Sequence, residues 1–212
     1  MINIQKKQNC CGCSACYSIC SQGCISMVND NEGFIYPQID KGKCIDCGLC
    51  NTVCPFEKPY ESKSTDIIYA CKNKDNNIRL ESSSGGIFSL ISEYIFDQQG
   101  VVFGAGFDEN FKVKHIYIED KEALTRLRGS KYVQSEIGDA YKQCKDFLRQ
   151  GRLVVFSGTP CQIAGLKHYL QNEYDNLTCV DIVCHGVPSP MVWGKYIKEL
   201  ESKIHARSEE HT

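Results

Sequence analysis

Cys10-Cys11-Gly12-Cys13-Ser14-Ala15-Cys16-Tyr17-Ser18-Ile19-Cys20 and Cys44-Ile45-Asp46-Cys47-Gly48-Leu49-Cys50-Asn51-Thr52-Val53-Cys54-Pro55 are the two stretches whose reading decides the fold. Each holds three cysteines at two-residue intervals and a fourth after a gap of three. Such spacing lets a short loop wrap one face of a cubic metal cluster. The loop's free amide N–H groups then point at the sulfides and offset the cluster's negative charge. The fourth thiolate has to come from elsewhere in the chain.

The second run, closing proline included, resembles the bacterial ferredoxin pattern, and the first shares its spacing but has Ser21 where proline is usual. In two-cluster ferredoxins each run lends its fourth cysteine to the other cluster. On that pattern Cys10, Cys13, Cys16 and Cys54 hold one 4Fe–4S cluster, and Cys44, Cys47, Cys50 and Cys20 hold the other. Zinc and disulfides are the rival readings. Zinc usually takes paired C-x-x-C units or cysteine with histidine. Disulfides need an oxidising compartment, and the N-terminus does not read as a signal peptide.

The remainder of the composition is ordinary. The chain has 212 residues, a formal net charge of -2 and 24% charged residues, so no general attraction to nucleic acid or an anionic membrane is expected. No apolar run approaches the roughly 20 residues that span a bilayer. Of 15 cysteines, those outside the two ligand sets are Cys11, Cys24, Cys71, Cys144, Cys161, Cys179 and Cys184. So many thiols beside cluster ligands point to a reducing cytoplasm and an anaerobe. Cys24 reads as a small buried residue rather than a ligand.

The expected architecture is an α+β ferredoxin-like two-cluster domain followed by an α/β domain with a mainly parallel sheet. Residues 1–60 form the first domain, built as two ββα-like halves, with 33–37 as a strand between them. Residues 56–66 read as a linker and 67–72 as a strand opening the second domain, which runs over 67–203. In it a helix carries Ile87, Leu90, Ile91, Tyr94 and Ile95. Residues 101–107 and 114–119 are strands, 121–127 a short helix and 138–150 a longer one. Residues 152–156 are a core strand, Pro160 opens a helix, 177–183 is a strand and 191–201 the last helix. The tail 204–212 is polar. Strands alternating with helices in this way give a mainly parallel sheet.

Three loops in this second part are candidate binding elements. Ser157-Gly158-Thr159-Pro160-Cys161 joins a strand to a helix, where Gly158 would allow close approach and free N–H groups favour a phosphate. Ser82-Ser83-Ser84-Gly85-Gly86 has the same character. Taken alone, each also reads as an ordinary helix cap. The loop from Arg128 to Ser135 offers a cation, hydroxyls, an amide and an aromatic face. Cys161, at a helix start, is expected to have a lowered thiol pKa. Cys184-His185 ends a strand, where α/β sheets bind ligands. Cys161, Cys179 or Cys184 could ligate a further centre, be reactive, or be packed. His115, His168, His205 and His211 show no metal spacing.

Together and in order, Ser82–Gly86, Arg128–Ser135, Phe156–Gln162 and Val183–Pro190 resemble the coenzyme F-420 hydrogenase/dehydrogenase beta-subunit family, whose bacterial members carry a two-cluster ferredoxin module. The resemblance spans nearly all of residues 9–203. It implies an iron–sulfur flavoprotein oxidoreductase with two 4Fe–4S clusters and FAD. Its partners would be an electron carrier such as ferredoxin and an unknown two-electron substrate, which is the deazaflavin in archaeal members. It places the flavin against Ser83, Ser84, Gly85, Gly86, Ser130, Lys131, Tyr132, Val133, Gln134, Ser157, Gly158, Thr159, Pro160 and Cys161, with Cys161 the candidate catalytic or tuning residue. Members of that family continue past the helix ending near Lys203, so the chain is expected to be C-terminally short. The rival function is a ferredoxin-type relay that docks a partner and holds no flavin. A zinc-stabilised structural protein is a third.

Overall fold

The computed structural model describes residues 2, 4, 6–59 and 67–204. Residues 60–66 of the expected linker, the tail from 205 on, His205 and His211 lie outside the described residues. The cysteine runs flank a single β-hairpin. The first run leads into α1 (Ala15–Ile19), and the second into α2 (Leu49–Thr52). Between them β1 (Ile25–Asn29) pairs antiparallel with β2 (Ile35–Ile39), Ile25 opposite Ile39 and Asn29 opposite Ile35. Asp30 makes the hairpin turn, its Oδ1 accepting the amides of Glu32 at 3.0 Å and Phe34 at 2.9 Å. Two ββα halves were expected; one hairpin with a short helix on either side is what forms.

The second sheet has the order β4-β3-β5-β6, from β3 (Val101–Phe107), β4 (Val113–Ile118), β5 (Val154–Gly158) and β6 (Leu177–Asp181). β3 and β4 form an antiparallel hairpin, while β3–β5 and β5–β6 are parallel. The centre of the sheet is covered on both faces, as unbroken apolar runs require. Val101, Phe103, Val154 and Phe156 face α5 (Ala140–Arg149) and α6 (Pro160–Leu170). Val102, Val155 and Ile118 face α4 (Ile87–Phe96) and the 3-10 turn Glu122–Arg126. α7 (Pro190–Ile204) closes the chain. Among the described residues no helix is long and apolar enough to cross a membrane.

One local expectation changes. Residues 67–72 form no strand: Ile68 is 89% exposed and Tyr69 79%, so their β-propensity finds no sheet edge to pair with. The short helix expected over 121–127 forms as a 3-10 helix over Glu122–Arg126. A further helix, α3 (Asn76–Leu80) in chain order before α4, is held by Asp75, whose side chain accepts from the amides of Asn77 and Ile78.

The cysteine module and the sheet share one apolar core. Cys13, Ala15 and Val53 belong to the same buried cluster as Phe103, Phe156, Tyr141 and Leu166. α5 and α6 lie between the sheet and the module. Gly165 allows this on the α6 side, because a Cβ there would come within 3.0 Å of Cys13 Sγ and of Tyr141 Oη.

Candidate functional site

Left-handed residues bend each cysteine loop around a hollow: Gly12 (φ 66°) and Ser14 (φ 63°) in the first run, Asp46 (φ 50°) and Gly48 (φ 76°) in the second. Cys10, Cys13, Cys16 and Cys54 line one cavity. Cys20, Cys44, Cys47 and Cys50 line another. Cys11 also lines the first cavity and Cys24 the second; of the ferredoxin-spaced cysteines, each cavity takes three from one run and one from the other. Backbone amides reach sulfur in both, Gly12 N–H to Cys10 Sγ at 3.4 Å and Ile2 N–H to Cys50 Sγ at 3.1 Å. Cys16 stands at the partition, packed with Cys50 and Cys54 in one buried group.

The donor sets are all thiol. Burial raises the Cys10 thiol and pushes that of Cys16 up to about 12, so these sulfurs keep their protons until a soft, highly charged centre displaces them. Shared, all-thiol cavities of this kind fit 4Fe–4S clusters in the two-cluster arrangement.

A third hollow adjoins the first. It is a cleft of about 280 Å³ with Cys10, Cys11 and Gly12 on the module side and Gln134, Thr159 and Cys161 on the sheet side. Phe34, Tyr36, Cys184 and Val187 also line it. It opens where β5 ends, the edge at which parallel sheets bind ligands. Gln134 bolts the two sides together: its Oε1 accepts the Ile35 amide at 3.0 Å, and a Cβ on Gly12 would lie 2.6 Å from its Nε2.

A ring of hydrogen bonds backs the cleft, centred on His115, whose place in the sequence shows only that it lacks metal spacing. His115 Nε2 lies 3.1 Å from the Ser157 carbonyl and Nδ1 3.0 Å from Ser135 Oγ. A carbonyl only accepts, so Nε2 carries the proton and Ser135 donates to Nδ1. Gln162 Nε2 then donates to Ser135 Oγ at 2.8 Å, and Gln162 Oε1 accepts the Thr159 amide at 3.0 Å. The ring starts and ends in the β5–α6 loop, and Ser135 and Gln162 line the cleft.

This ring changes the role expected of that loop. The Thr159 N–H, expected to be free for a phosphate, is taken by Gln162. Gly158 faces inward, where a Cβ would meet Gln162 Oε1 at 3.2 Å and His115 Nε2 at 3.5 Å. Gly158→Val should therefore lower stability by about 1–3 kcal/mol through overpacking, measurable in a denaturant melt; a wild-type melt would show that the ring tolerates a side chain there. Cys161 differs from expectation as well. The neighbouring Cys11 thiol, with burial added, raises its pKa, which outweighs the pull of the α6 N-terminus and keeps the thiol protonated.

Burial lowers the His115 pKa from 6.5 to about 4. The unfolded chain takes up this proton near pH 6.5 and the folded chain only near 4. His115 thus costs nothing above about pH 6.5 and destabilises progressively as pH falls from 6.5 to 4. Between pH 7 and 5 the wild type should lose about 2 kcal/mol more stability than His115→Gln. Equal losses in urea melts at the two pH values would assign the titration to another group.

The other two loops meet each other. Ser83 Oγ accepts the Ser130 amide at 2.7 Å, and Arg128 pairs with Glu81 and donates to Ser89 Oγ at 3.2 Å. Gly86 enters α4 in the left-handed region (φ 73°), and Gly85 packs against the Cys71 carbonyl. Lys131 is half-buried and has no carboxylate partner among the described residues. Its Nζ donates to the carbonyls of Arg126 (3.2 Å) and Arg128 (2.6 Å), and burial lowers its pKa to about 8. Ser84, Pro160 and Tyr132 are exposed, Val133 is buried beside Gln134, and Ser157 sits behind the cleft on His115. Cys161 and Cys184 line the cleft, whereas Cys179 lines a separate groove with Lys167 and Leu177.

Comparison with known proteins bears on the whole arrangement. Residues 9–58 match the 4Fe-4S dicluster domain. Residues 68–142 match the N-terminal part of the coenzyme F420 hydrogenase/dehydrogenase beta subunit, and residues 151–209 match its C-terminal part. The chain belongs to this beta-subunit family. It is an iron–sulfur electron-transfer module of the oxidoreductase type. It is 27% identical over 183 residues to the coenzyme F420-dependent sulfite reductase of Methanocaldococcus jannaschii, a match covering 84% of this chain and 28% of that protein. The chain therefore spans little more than a quarter of that relative's length. A chain of the F420-reducing [NiFe] hydrogenase complex from Methanosarcina barkeri matches at 23% identity and a TM-score of 0.36, over 43% of this chain and 32% of its own.

Proposed function

We propose that this beta-subunit relative passes electrons between two 4Fe–4S clusters and an FAD held at the cleft, where a two-electron substrate is reduced or oxidised. One observation carries the reading: Cys10 lines both the first cysteine cavity and the cleft. The ligands are Cys10, Cys13, Cys16 and Cys54 for the cluster beside the cleft, and Cys20, Cys44, Cys47 and Cys50 for the outer one. When bound, the clusters supply single electrons and the flavin stores two.

The chain's own residues do the positioning. Residues 1–60 form the cluster domain and 67–203 the flavin domain. Lys131 sets a cation, without a carboxylate partner among the described residues, beside the joined Ser83 and Ser130 loops, which suits the pyrophosphate of a dinucleotide. Gln134 and the His115 ring hold the polar wall. The outer cavity meets solvent through the exposed Cys47 and Ile45, the side at which a protein carrier such as ferredoxin would dock. The name of the methanogen relative makes the deazaflavin one candidate two-electron partner.

The capped start of α6 favours a second reading, a relay that docks a partner and holds no flavin. Purification without oxygen, with iron, sulfide and flavin measured per chain, separates the two. The first reading expects about eight iron atoms and about one flavin. Full iron with no flavin in well-folded protein selects the relay.

A further inference from the structure

The outer cavity holds one thiol more than a 4Fe–4S cluster has iron corners. Cys20, Cys24, Cys44, Cys47 and Cys50 all line it. Cys24 was expected to be a small buried residue rather than a ligand, and it is buried, at 5% exposure. Its sulfur, however, lies 3.3 Å from Cys20 Sγ. Two sulfurs that close stand at the same corner.

The two differ in how they are held. Cys24 immediately precedes β1, and its carbonyl accepts the Asp40 amide at 2.8 Å, so the hairpin fixes its backbone. Cys20 closes α1 and begins an exposed turn through Ser21 and Gln22 to Gly23 (φ 57°). The proline that would lock φ after Cys54 has no counterpart here, because Ser21 follows Cys20. Both backbones are hydrogen-bonded, Cys20 to Tyr17 and Gly23 within an exposed turn and Cys24 to Asp40 on the hairpin, so the cysteine that the ferredoxin spacing nominates is the one on the solvent-facing turn.

We propose that Cys24 is an alternative fourth thiolate for the outer cluster, able to take the corner that Cys20 otherwise occupies. The inference rests on the two-cluster reading above. The exchange is a ligand substitution without redox change: the Cys24 thiol loses its proton as its sulfur binds iron, and the Cys20 sulfur takes up a proton as it leaves.

The test is iron and sulfide content per chain after purification without oxygen, with electron paramagnetic resonance of the dithionite-reduced protein, for wild type, Cys20→Ser, Cys20→Ala, Cys24→Ser and Cys20→Ser/Cys24→Ser. Each single variant should keep about eight iron atoms, and the double variant should fall to about four. The Cys20 variants should also show a shifted resonance for one cluster only, the first cluster serving as the internal sign of a folded module. Loss of the outer cluster from both Cys20 variants would overturn the proposal, as would an iron-free chain in both. A double variant that keeps about eight would place the fourth ligand elsewhere and also overturn it. Wild-type protein with fewer than two clusters would overturn the two-cluster reading itself, and the inference with it.

Discussion

Cys54→Ser should leave the chain with about four of its roughly eight iron atoms, the loss confined to the cluster beside the cleft. Cys54 belongs to the second run in sequence but lines the first cavity with Cys10 and Cys16. A serine hydroxyl is a harder, less acidic donor than a thiol and holds an iron corner far more weakly. The outer cavity draws nothing from Cys54, so its iron should stay. Cys144→Ala is the matched control. Cys144 is fully buried in the core of α5, where burial raises its thiol pKa; its loss should cost stability and no iron. Cys11→Ser should likewise keep both clusters. Iron and sulfide counts on the three variants check this, and loss of a whole cluster from Cys11→Ser would redraw the ligand set.

The second large effect concerns Lys131. Burial lowers its pKa to about 8, and its contacts are backbone carbonyls rather than a carboxylate. A cation in that state gains from an anionic ligand, which would raise its pKa again. Lys131→Gln should weaken flavin retention at least roughly tenfold, the size of one lost charge-assisted contact. The sign of the pH effect follows: the ammonium is present below about pH 8 and lost above it, so retention in the wild type should weaken as pH rises through 8 and the variant should not show that step. Fluorescence of flavin released during dialysis at pH 7 and pH 9 measures both. Equal retention by wild type and variant would remove Lys131 from the site.

What could be read in the sequence was local. The spacing within each run put three cysteines around one hollow, because cysteine period and loop curvature are properties of a dozen residues, whereas the exchange of Cys20 and Cys54 between the runs came from the resemblance to two-cluster ferredoxins. Val101–Phe103 and Val154–Phe156 announced buried central strands for the same reason, and Pro160 marked the start of α6. The failures are long-range. Nothing near residues 67–72 reports that no sheet edge is available to them. The ring around His115 joins residues 20, 27 and 42 positions apart. The Gln134 bond to Ile35 spans 99. Cys24 looked like a buried residue rather than a ligand because only the folded hairpin brings its sulfur to Cys20. Cys161 looked acidic because a helix start is visible in sequence while the facing Cys11 is not.

The account stands or falls on the coupling between the first cysteine cavity and the cleft. Rapid mixing of a reduced ferredoxin, too large to enter the cleft, with wild type and with Cys54→Ser tests it most directly, with visible spectra separating iron–sulfur from flavin bands. The account predicts that in wild type the iron–sulfur bands bleach before the flavin band, and that flavin bleaching slows at least roughly tenfold in Cys54→Ser, in which the cluster beside the cleft is missing. Flavin bleaching at an unchanged rate in Cys54→Ser would contradict it.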